Sequence, residues 1–170
     1  CRCVGPTGVG LSSERNMRRS PRVSAKEEHM KPVIVTAAIC GAEVFKTDTP
    51  YIPYTTEELA AEAEKCISEG ASIIHLHVRE DDGTPTQDRE TFDRAIKAIR
   101  ERVGHTPIVQ VSTGGAVGMT VDERCQPLEL RPDMATLTTG TVNFGTDVFL
   151  NSQDTIEAIL QRIQANGVVP

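Results

Sequence analysis

The chain has 170 residues, a length that suits one domain better than two. Its net charge of −6 argues against nucleic acid as the main partner, and no apolar run approaches the ~20 residues that a bilayer span requires. Five scattered cysteines without a C-x-x-C pair fit a reduced, cytoplasmic chain better than a disulfide scaffold.

Charge and composition change near residue 30. Residues 1–30 carry six Lys/Arg against three Asp/Glu, whereas residues 31–170 carry twelve against twenty-one. The first stretch is rich in Gly, Ser, Pro and Arg and has no hydrophobic period, so residues 1–29 are read as a disordered or non-native leader. Met30, directly before the first apolar stretch, is expected to be the native start.

From there strands and helices alternate. Val33–Ala38 (VIVTAA) is short and β-branched, as a buried strand is. Thr55 and Glu58 have capping-box spacing and open a helix to about Glu69, with Leu59, Ala63, Cys66 and Ile67 on its apolar face and Gly70 closing it. Ser72–Val78 (SIIHLHV) is a second strand, and Asp81-Asp82-Gly83 is a turn. Asp88–Val103 is a helix striped by Phe92, Ala95, Ile96, Ile99 and Val103, and Gly104 ends it. Pro107–Ser112 is a third strand. Thr120 and Glu123 cap a short helix reaching about Leu130, and Met134–Thr138 is a fourth strand after Pro132. Residues 140–150 form a longer loop with a turn or short strand around Val148. Ser152–Ala165 is the last long helix, and Val168–Pro170 opens a fifth strand.

Four strand–helix units in series imply a parallel sheet covered by helices. Both an open doubly wound sheet and part of a (β/α)8 barrel satisfy this. A whole barrel takes about 250 residues, so residues 30–170 would supply its first four βα units, the N-terminal half.

His75-Leu76-His77 carries the strongest chemical signal. Residues i and i+2 of a strand face the same side, so two imidazoles can converge on one ion; otherwise they are polar groups satisfied at a strand end. A catalytic zinc needs a third ligand and an open position. Ser112-Thr113-Gly114-Gly115 follows the third strand; it is either an anion-accepting backbone turn or simply a flexible one. Glu43, after the first strand, either holds a cationic substrate group or is a solvated loop side chain. The Thr136 hydroxyl either donates to a substrate carboxylate or satisfies nearby backbone. Arg79 and Glu80 read as an ordinary surface pair, and Cys40 and Cys66 as packing thiols.

VTAAICGAE, GASIIHLHVREDDGTPTQD, PIVQVSTGGAVG and RPDMATLTTGTVNFGTDVF, in this order, resemble the β-keto acid cleavage enzymes. The resemblance covers Met30 to Pro170. It implies a (β/α)8 barrel assembled as a homotetramer that uses zinc and moves pieces between a β-keto acid and acetyl-CoA. It implies His75 and His77 as zinc ligands and Glu43, Ser112, Gly115 and Thr136 as substrate contacts. Glu43 would face the substrate's ammonium, and Ser112 and Gly115 its carboxylate. The third ligand, a glutamate, and the neighbouring aspartate base belong to the family's C-terminal half and would lie beyond residue 170, as would a participating arginine. Thr138-Thr139-Gly140 departs from the Asn-Ala-Gly of a lysine-fermenting member, which bears on the substrate side chain.

Two other readings compete. One is a barrel enzyme of another class whose glycine turn grips phosphate. The other is a non-catalytic partial product, because half a barrel leaves strand edges and apolar faces uncovered.

Overall fold

A computed structural model describes residues 31–170, so the expectation for residues 1–29 lies outside the described residues. A four-stranded sheet in the order β1-β2-β5-β6 forms the frame: β1 (Thr36–Ala38), β2 (Ile73–Leu76), β5 (Ile108–Val111) and β6 (Met134–Ala135). Every pairing in it is parallel. The crossovers are α1 (Thr56–Ser68), α2 (Arg89–Val103) and a one-turn α3 (Val121–Arg124) that tightens into a 3-10 helix (Gln126–Leu130). After β6 the chain forms α4 (Gln153–Ala165) and returns to the sheet, where Val169 bridges Met134 in parallel. That bridge is where the fifth strand was expected.

Local chemistry explains the helix starts. Thr55 and Glu58 form a reciprocal capping box at α1, and Thr120 and Glu123 form another at α3. Asp88 and Ser152 cap α2 and α4 with single side-chain bonds to the N3 amides. The segment after α3 continues as 3-10 helix because Pro127, near its start, has no N–H to give to an α-helical bond.

Ile74 and Leu76 of β2, Val109 and Val111 of β5 and Ala135 of β6 are buried against Leu59, Phe92, Ile99, Ile159 and Ile163 of the helices. Each large apolar side chain so buried contributes roughly 1.5–3 kcal/mol. Alternation puts the next residues on the opposite sheet face, where Ala38, His75, Gln110 and Met134 lie side by side in register.

The strands are shorter than expected. Val33 and Ile34 are 79% and 78% exposed and lie outside β1, an edge strand with a partner on one side only. The second strand ends at Leu76. Val78–Arg79 (β3) turns out of the sheet to pair antiparallel with Pro85–Thr86 (β4), across the expected Asp81–Gly83 turn. The fourth strand stops at Ala135. Residues 140–150, expected as a loop with a turn or short strand around Val148, contain that strand as β8 (Asp147–Phe149), paired antiparallel with an unexpected β7 (Val142–Phe144). Among the described residues, no helix is long and apolar enough to cross a membrane.

Candidate active site

Parallel strands direct the loops that follow them to one edge of the sheet, and a cleft of about 300 Å³ lies there. It is lined by Glu43, His75, His77, Ser112, Gly115 and Thr136, together with Thr138, Val117, Phe144 and Phe149. All six residues singled out in the sequence therefore meet in one place, although they come from four separate strand–loop junctions. A larger groove, about 470 Å³, lies between α1 and α2, and it contains none of the six.

The two imidazoles stand edge to face, with ring centroids 5.0 Å apart at 75°. Gln110, the register partner of His75 on β5, lies 3.1 Å from His75 Nδ1 through Oε1. With Oε1 accepting, Nδ1 carries the hydrogen and Nε2 stays bare, the tautomer that ligates a metal through Nε2. Burial pushes the His75 imidazole below its ordinary value, against a smaller opposing effect of the Gln110 bond. Burial also lowers His77 to about 4, helped by repulsion from His75 and Arg79. Both rings are thus neutral at pH 7, the form that binds metal. Two neutral imidazoles suit zinc. Among the described residues, no third His, Cys, Asp or Glu completes a group able to hold an ion.

The glycine turn is held from below. Gln87 Nε2 donates to the Ser112 carbonyl at 2.8 Å and to the Arg124 carbonyl at 3.1 Å. Arg124, 2% exposed, donates from Nε to the Thr113 carbonyl at 2.7 Å and from a terminal nitrogen to Asn151 Oδ1 at 2.9 Å. Its guanidinium also lies 4.8 Å over the Phe149 ring. Gly115 has φ +65°, and an added Cβ would sit 2.6 Å from Met119 Sδ. The Ser112 hydroxyl accepts the Gly114 N–H at 3.0 Å, which leaves its own hydrogen free to donate. The Thr136 hydroxyl accepts the Thr113 N–H at 3.1 Å and likewise keeps a hydrogen.

Arg79 is not half of a surface pair. It is 3% exposed, and its guanidinium donates to the carbonyls of Gly41, Val44 and Gly83. The turn of the chain after His77 brings it under the loop that carries Glu43. Gln87 and Arg124 were likewise missed from sequence, and no local pattern marks either, because their partners lie 11 to 37 residues away. Phe144 and Phe149 stack at 5.7 Å and wall one side of the cleft.

Residues 32–170 match the beta-keto acid cleavage enzyme family. The chain is 58% identical over 142 residues to a 3-keto-5-aminohexanoate cleavage enzyme of Fusobacterium nucleatum, covering 83% of this chain and 52% of that protein. The protein of the same description from Acetoanaerobium sticklandii is 53% identical over the same shares. A 3-oxoadipate:acetyl-CoA acetyltransferase of Cupriavidus necator is 40% identical, over 82% of this chain and 49% of that protein. The chain thus spans about half the length of the curated relatives it matches. Among solved structures, a ternary complex of ObcA with a C4-CoA adduct and oxalate superposes with a TM-score of 0.63 at 20% identity, covering 71% of this chain and 30% of that one. At that identity the likeness bears on the fold, and the parallel sheet with its covering helices is that of a (β/α)8 barrel truncated to about four βα units. By the match over residues 32–170 and by relatives above half identity, this chain belongs to the β-keto acid cleavage enzyme family.

Proposed function

We propose that this chain carries the two-histidine part of the active site of a zinc-dependent enzyme that cleaves a β-keto acid with acetyl-CoA as co-substrate. Two relatives described as 3-keto-5-aminohexanoate cleavage enzymes support that β-keto acid as the substrate; the products would then be acetoacetate and 3-aminobutyryl-CoA. The observation that carries the proposal is that His75 and His77 line the same cleft as the glycine turn, Thr136 and Glu43.

Breaking a C–C bond beside a ketone builds negative charge on oxygen, and bound zinc supplies the Lewis acid that stabilises it. His75 and His77 would hold the metal, with Gln110 fixing the His75 ring. The Ser112 hydroxyl and the Gly115 N–H would donate to the substrate carboxylate, and the Thr136 hydroxyl would add a third donor. Glu43 has no ion-pair partner among the described residues and would accept a substrate ammonium. The base, the third ligand and an arginine would come from outside these 170 residues, so the chain alone is expected to be inactive. The full-length enzyme is read as a cytoplasmic homotetramer.

Metal analysis of the full-length enzyme tests the reading. One zinc per subunit is expected, lost on His75→Ala or His77→Ala. Metal content unchanged by both substitutions would reject it.

A further inference from the structure

Arg79 presents an arrangement that the reaction does not by itself require. Its guanidinium is buried without a carboxylate partner among the described residues. It donates to the carbonyls of Gly41 and Val44, the latter at 2.8 Å, and these flank Glu43 on the loop after β1. A third bond, 2.7 Å to the Gly83 carbonyl, anchors it to the β3–β4 turn. The flat cation also lies over two rings, 4.8 Å from the centroid of Phe45 and 5.0 Å from that of Tyr54. Phe45 belongs to the same loop, so Arg79 grips that loop by two carbonyls and one aromatic face. Burying a cation is costly unless every donor is matched, so these contacts hold the loop in one shape. The fork geometry is one that lysine cannot reproduce. Arg79 also follows His77 by two residues, so one stretch of chain carries both an imidazole and the clamp on Glu43.

We propose that Arg79 is a positioning residue that sets how Glu43 reaches into the cleft, and thereby the preference for a β-keto acid bearing a cationic substituent. The inference rests on the reading of Glu43 given above. Arg79 touches no substrate; it acts through the 41–45 loop.

The test measures kcat and KM of the full-length enzyme with acetyl-CoA and either 3-keto-5-aminohexanoate or 3-ketohexanoate. The readout is the ratio of kcat/KM for the amino substrate to that for the plain one. Glu43→Gln is expected to lower this ratio about tenfold, the size of one charge-assisted contact. Arg79→Lys is expected to lower it by a similar factor, mainly through KM of the amino substrate. The double variant is expected to fall no further than Glu43→Gln alone, because both changes remove one interaction. If Arg79→Lys depresses both substrates equally, or the two losses multiply, the inference is overturned while the reading of Glu43 stands. If Glu43→Gln leaves the ratio unchanged, the reading of Glu43 fails and takes the inference with it. Phe45→Leu removes one face of the clamp and keeps its hydrogen bonds, so it carries the test if Arg79→Lys does not fold. A partial loss of the ratio then supports the clamp, and an unchanged ratio overturns it.

Discussion

Replacing Gly115 with alanine should destabilise the protein by more than backbone strain alone. At φ +65° an L side chain costs about 1–2 kcal/mol. The added Cβ would lie 2.6 Å from Met119 Sδ, a contact Met119 can escape by leaving its rotamer at about 0.5–1 kcal/mol. It would also lie 3.2 Å from Gln87 Cγ, and Gln87 cannot retreat freely because its amide is bonded to the Ser112 and Arg124 carbonyls. Loosening those bonds costs about 1 kcal/mol more. Gly118 is the internal control: its φ is +90°, but nothing lies within 4 Å of a Cβ there. Gly118→Ala should therefore cost about 1–2 kcal/mol and Gly115→Ala about 3 kcal/mol. Urea unfolding followed by circular dichroism reads the difference; with a slope of about 2 kcal/mol/M, the midpoints should differ by about 0.7 M. Equal midpoints for the two variants would show that packing under the turn does not hold it, and the account of Gln87 as its support would be wrong.

Two further outcomes follow from the buried charges. His77 titrates near 4 in the folded protein against 6.5 for the unfolded reference, so the unfolded state binds its proton first on acidification. Stability from this group is full above pH 6.5 and is lost as pH falls through 4, by at most about 3.4 kcal/mol; His75 acts in the same direction. Metal-free protein should show its urea midpoint falling over that window, with a flatter profile for His77→Gln; identical profiles would contradict it. Arg124→Met should cost about 3–5 kcal/mol, because it strips the Thr113 carbonyl and Asn151 Oδ1 of their donors in the interior. A thermal midpoint within a degree or two of the parent would refute that role.

Much of the order of elements could be read from residues close together in the chain. Capping boxes at Thr55/Glu58 and Thr120/Glu123, the stripe from Phe92 to Ile99 and the stop at Gly104 are local hydrogen bonds and periodicities, and the structure repeats them. The facing of His75 and His77 into one cleft was likewise implied by the two-residue repeat of an extended chain, even though the sheet pairing ends at Leu76. Sequence alone could not decide how the surroundings of those residues assemble. Arg79 looked like a surface cation beside Glu80, yet its carbonyl partners on the Glu43 loop lie 35 and 38 residues back along the chain. Nothing local marked Phe144 and Phe149 as partners until the hairpin stacked them in the wall of the cleft that His75 and His77 also line. The physical reason is the range of the forces involved: caps and alternation depend on neighbours a few residues away, whereas the cost of burying a charge depends on whether distant segments bring it enough acceptors, which is settled only when the chain folds.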